Sequence, residues 1–121
     1  MKRRKFIRRT FDKWIYRLGL RWWDITILWY DKPKMINKEF KNPDICARTY
    51  VDWRYSEATI TVNMPKLSSL RKEKIERAIV HELLHIPVNE MRETGIHHEE
   101  RVVTTLQKAI FWTMADIKAK K

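Results

Sequence analysis

Seven consecutive residues, Ile79-Val80-His81-Glu82-Leu83-Leu84-His85, constrain this chain more than any other stretch. Apolar residues at 79, 80, 83 and 84 around two histidines four apart match the period of an α-helix and not that of a strand. On that helix His81 and His85 lie one above the other on one face, while the apolar residues turn towards a core on the other. Two imidazole nitrogens so placed reach a single metal ion without bending the backbone. Glu82 follows the first histidine and can hold a carboxylate beside that ion, where a general base takes a proton from water. The spacing is H-E-x-x-H, a pattern with a mechanism attached. A core helix that happens to carry two histidines is the competing interpretation, and the rest of the sequence decides between them.

At 121 residues the chain is long enough for one compact domain, residues 1–121, with a single core. Apolar residues make up 44% and include six tryptophans, which supplies that core. Cys46 is the only cysteine, so an intrachain disulfide and a cysteine-based zinc knuckle are both excluded. A reducing, cytoplasmic compartment fits, and no apolar run is long enough for a signal or a membrane span. The formal net charge is +11, and Lys2, Arg3, Arg4, Lys5, Arg8 and Arg9 concentrate it near the N-terminus. The first six residues read as a basic tail, solvated or in weak, non-specific contact with nucleic acid.

Hydrophobic periodicity predicts an α+β fold. Ile7, Phe11, Trp14, Ile15 and Leu18 recur at helical spacing, with Gly19 as the stop. Trp23, Ile25, Ile27 and Trp29 alternate with Trp22, Asp24, Thr26 and Leu28, and this β-branched and aromatic period of two reads as a strand. Residues 31–44 read as a connection with at most a short turn of helix. Ala47, Thr49 and Val51 share one side of a second strand, and Ala58, Ile60 and Val62 one side of a third, so these two form a hairpin. Ser68 or Ser69 is placed to cap the histidine helix from about Leu70, and Pro87 is expected to end it just after His85. A last helix should run from about His97 to Ile117.

A catalytic zinc takes three protein ligands and keeps one position for water, so a third ligand is required. At about 100° per residue, Val102, Val103, Leu106, Ala109, Ile110, Thr113 and Ile117 form a stripe centred on Leu106. Glu99 falls about 20° from that centre and Glu100 about 120° away. A carboxylate on a core-facing stripe calls for a compensating cation. Glu99 is therefore the expected third ligand ahead of Glu100, which suits the helix dipole. His97 and His98 stand nearby as secondary candidates.

With these residues in view the chain resembles the zincin metallopeptidases, in particular the gluzincin branch, whose third ligand is a glutamate on the following helix. Its element order, a helix, a small three-stranded mixed or antiparallel sheet and two further helices, is similar to the minimal minigluzincins and to short metallopeptidase-like proteins of phages and bacteria. Val88 and Met91 stand where the extended metzincin motif needs glycine and histidine, so that sister group is excluded. The resemblance implies one Zn²⁺ per chain, held by His81, His85 and Glu99, with Glu82 as general base in peptide-bond hydrolysis. It also implies that residues 57–63 form the sheet edge and pair with an extended peptide. Arg54-Tyr55 or Tyr50 would assist the oxyanion. A minimal domain of this kind is active or latent alone. The alternative is a basic nucleic-acid-binding or partner-binding accessory module with a structural or vestigial zinc site. Substrate and oligomeric state have no sequence signal.

Overall fold

The computed structural model describes residues 2–40, 42, 44–93 and 98–120. Helix α1 (Lys2–Arg17) leads to strand β1 (Asp24–Tyr30), the short helix α2 (Pro33–Glu39) and strand β2 (Ala47–Asp52). A 3-10 turn, Trp53–Tyr55, reverses the chain into β3 (Glu57–Asn63). Helices α3 (Met64–Ser68), α4 (Lys72–Glu93) and α5 (Glu99–Ala119) follow, giving the α+β architecture that periodicity predicts.

Local chemistry accounts for several boundaries. Gly19 ends α1 in the left-handed region, at φ 70°. The Gly19 amide donates to Tyr16 O and the Leu20 amide to Ile15 O, the paired bonds that close a helix around a C-terminal glycine. Leu20 is buried beneath that turn. Asn63 caps α3 by accepting from the Lys66 amide.

The sheet order is β1-β3-β2, with β1 parallel and β2 antiparallel to β3. Ala58, Ile60 and Val62 are buried on the inner face, with Val51 beside them and Ile25, Ile27 and Trp29 partly covered. Onto this face pack Ile7, Phe11 and Trp14 of α1 and Ile75, Ile79, Leu83 and Ile86 of α4. The opposite face is open at Thr26, Leu28 and Tyr50. At one end Phe40, just after α2, covers it by meeting Tyr30 edge-on, with 6.3 Å between ring centroids. Among the described residues no helix is long and apolar enough to cross a membrane.

Four expectations are corrected. Residues 57–63 are the central strand and not the edge; the edges are β1 and β2. Alternation could not reveal this, because the parallel pairing of β1 inserts β3 between two strands that precede it in sequence. The basic run is the start of α1 and not a tail: Arg3 donates to the carbonyls of Ser68 and Leu70, and Arg4 pairs with Asp31. Ser68 ends α3 and Ser69 is its C-cap, so neither caps the histidine helix, which begins at Lys72. Finally, α4 runs through Pro87 to Glu93. A proline inside a helix removes one amide donor and costs about 3 kcal/mol. Here Ile86 and Asn89 are buried and Val88 packs on the core, so tertiary contacts hold both sides of the proline in the helix.

Candidate metal centre

Because α4 continues, His81 and His85 stand in mid-helix with about two turns beyond them. Their rings meet edge to face at 5.1 Å. The first three turns of α5 lie across them. Glu100 reaches His85 Nε2 with Oε1 at 2.8 Å and His81 Nε2 with Oε2 at 3.1 Å. His81, His85 and Glu100 each offer a ligand atom within 4.8 Å of the others.

The other imidazole nitrogens are also engaged. His85 Nδ1 lies 2.8 Å from Glu99 Oε2, and His81 Nδ1 lies 3.1 Å from Gln107 Oε1. Both partners are acceptors, which are satisfied by the tautomer in which each Nδ1 carries the proton and donates. In the neutral rings both Nε2 lone pairs then face the Glu100 carboxylate. Acceptor against acceptor at these distances is stable only with a proton or a cation between them. Two nitrogens and a carboxylate oxygen converging on one point, each histidine braced through its second nitrogen, fit a divalent metal ion and its supporting shell. Glu99 Oε1 is buried with no hydrogen-bond partner among the described residues, which adds negative charge next to that point.

Glu99, expected as the third ligand, is thus placed on the far nitrogen of His85, and Glu100 occupies the position facing both Nε2 atoms. The two differ sharply in exposure: the Glu99 side chain is 15% exposed and that of Glu100 71%. Leu106, at the centre of the apolar stripe, is exposed, as are Ala109, Thr113 and Ile117. Val103 is the buried residue of this helix, and Gln107, Ile110 and Phe111 are half-buried. Centring between Val103 and Gln107 puts Glu100 about 40° and Glu99 about 60° from the middle, so both reach α4. His98 is exposed and outside the cluster. His97 lies outside the described residues.

Glu82 sits on the side of α4 nearest β2. Thr49 Oγ1 lies 2.8 Å from Glu82 Oε1 and 3.1 Å from the Glu82 carbonyl oxygen. Burial pushes the Glu82 carboxyl above the ordinary glutamate value, against the pull of the Thr49 hydrogen bond and the His85 and His81 charges. Thr49 and Gln107 are the site residues that motif reasoning missed. Thr49 had one signal, a polar residue on the inward side of a strand between Ala47 and Val51. Tyr50 alternates with Thr49, so it faces the open side of the sheet, away from Glu82. Tyr55 is exposed, with the Arg54 guanidinium 5.8 Å from its ring centroid.

No family model matches the chain, no curated protein matches it in sequence, and no solved structure matches it.

Proposed function

We propose that this protein is a zinc-dependent metallopeptidase of gluzincin type, with His81, His85 and Glu100 as the metal ligands and Glu82 as the general base. The observation that supports it most is the convergence of His81 Nε2, His85 Nε2 and the Glu100 carboxylate, with both Nδ1 atoms held by α5. A bound zinc ion would supply positive charge that acidifies water and polarises a carbonyl. The two histidines and one carboxylate also suit non-haem iron, but the carboxylate of Glu82 beside the first histidine favours hydrolysis.

The chain's own residues divide the remaining work. Glu99 and Gln107 fix the two imidazoles with Nε2 outward. Glu82 takes a proton from the attacking water and returns it to the leaving nitrogen, and its raised proton affinity suits both transfers. Thr49 holds one carboxylate oxygen, so the other is left for the water. The strand beside this group is β2, which packs against α4 and has no strand on its outer side among the described residues. An extended peptide substrate pairs there and not along 57–63. The free, half-buried Cys46 suits a cytoplasmic setting.

Metal content after purification without added metal tests the assignment, on wild type, Glu82→Gln, Glu99→Ala and Glu100→Ala. Near one zinc per chain is expected for the first two. Glu100→Ala should lose most of it, and Glu99→Ala should lower affinity about 10- to 100-fold, the usual cost of a supporting residue. Peptide-library cleavage should fall about 10²- to 10⁴-fold in Glu82→Gln. A wild type that neither carries nor takes up metal overturns the proposal.

A further inference from the structure

The first seventeen residues carry eight cationic side chains against one acid, Asp12. Part of that charge is absorbed by the fold: Arg3 caps carbonyls, Arg4 pairs with Asp31, and Lys13 pairs with Glu76. Lys5 and Arg9, one turn apart on the outer face of α1, are exposed. Further along the same face Tyr16 is 65% exposed, and the Arg21 guanidinium sits 5.6 Å from its ring centroid. Trp22, the next residue, is 71% exposed, with its ring 5.5 Å from that of Trp23. Here two large rings stand in water among cations, although α1 buries Phe11 and Trp14 completely or nearly so.

We infer that Lys5, Arg9, Tyr16, Arg21 and Trp22 form a binding ridge for single-stranded nucleic acid. Cations along a helix track a phosphate backbone, and exposed rings give unpaired bases a surface to stack on. Arg21, already lying on Tyr16, presents a guanidinium that both stacks and donates to phosphate. A duplex keeps its bases stacked on each other and would use only the charge. An anionic membrane fits less well. An interfacial helix inserts its apolar face, and the apolar face of α1, Ile7, Phe11 and Trp14, is spent in the core. The ridge uses none of the residues assigned to the metal centre, so the inference stands or falls separately from the hydrolase proposal.

The test is fluorescence anisotropy of the full chain with a labelled single-stranded oligonucleotide, the matching duplex and anionic phospholipid vesicles, each with and without chelator. Single-strand binding is expected to be tightest, to persist in chelator, and to weaken with salt with a log–log slope of about −2 for three cations contacting phosphate. Lys5→Glu with Arg9→Glu should weaken it tenfold or more. Trp22→Ala should weaken it at least about fivefold while leaving the salt slope unchanged. These side chains are exposed, and an unaltered melting temperature in each variant shows that the fold is kept. Equal affinity for duplex and single strand, vesicle binding without oligonucleotide binding, or no effect of Trp22→Ala would each overturn the inference.

Discussion

Helix α4 has two working faces, and they are built on opposite terms. Towards α1 and the sheet it offers Ile75, Ile79, Leu83 and Ile86, all buried at 1% exposure or less. Towards α5 it offers His81 and His85, met by Glu99, Glu100 and Gln107. One face gains stability from removing apolar surface from water, which needs shape and volume but no particular partner atom. The other gathers carboxylates and imidazoles whose mutual arrangement is favourable only with a proton or cation among them. On α5 the buried residue is Val103, so apolar packing contributes less to its docking than to that of α1. The fold is thus carried by one side of α4, and the other side is free to be specified by chemistry.

Truncation should separate the two sides most strongly. Leu83→Ala, on the packed face, is expected to cost about 2–5 kcal/mol of unfolding free energy, from lost burial and a residual cavity. His81→Ala should cost on the order of 1 kcal/mol in metal-free protein, since its hydrogen bonds are replaced partly by water. Denaturant melts of both variants in chelator check this. A His81→Ala loss as large as that of Leu83→Ala would mean that the polar seam is part of the core.

Much of the packed face is legible in the sequence, and on the polar face so are His81 and His85, but not how α5 meets them. Alternation assigned Ile25, Ile27, Ala58, Ile60 and Val62 to the interior correctly, because a strand's period of two leaves no other solution for one covered face. The hairpin of β2 with β3 followed from the same pattern. Sheet order did not, since inserting β3 beside β1 depends on tertiary packing and changes no residue's inward or outward assignment. The local preference of Pro87, a few kcal/mol, is overridden by the burial of Ile86 and Asn89 around it, which local sequence does not reveal. On α5 the most apolar stripe is not the buried one: Leu106 and Ile117 are exposed, whereas the polar Gln107 faces His81. Periodicity assumes that apolar residues mark the contact, and that assumption fails where a contact is made by hydrogen bonds. The same assumption ranks Glu99 ahead of Glu100, whereas Glu100 is the one that faces both Nε2 atoms and Glu99 meets His85 Nδ1.

Gln107 sharpens the contrast at smaller amplitude. Its amide oxygen is the hydrogen-bond partner of His81 Nδ1. Gln107→Ala should lower zinc affinity about 10- to 100-fold by releasing the ring, with little change in metal-free stability. Gln107→Glu, which restores an acceptor, should recover most of the affinity. Competition with a coloured chelator reads both. Equal affinities in wild type and Gln107→Ala would remove Gln107 from the supporting shell.

The smallest expected effect lies on the packed side and asks whether charge contributes there at all. Glu76 accepts a 2.8 Å hydrogen bond from Trp14 Nε1 and pairs with Lys13, joining α4 to α1. Burial alone would raise its pKa, but the hydrogen bonds from Lys13 and Trp14 and the charges of Lys13 and Arg17 outweigh it and hold the carboxyl below 4.5. The folded chain therefore binds this proton less readily than the unfolded chain. The stabilisation is complete above the unfolded value of 4.5 and is lost as pH falls through the lower folded value. Glu76→Gln keeps an acceptor for Trp14 but not the charge. In chelator, where the histidine side is metal-free and common to both variants, the two stability curves should differ by about 1 kcal/mol or less at neutral pH, as for a partly exposed pair. They should converge on acidification. A constant offset down to strongly acid pH would show that Glu76 acts by shape and hydrogen bonding alone, and would leave electrostatics entirely to the other face of α4.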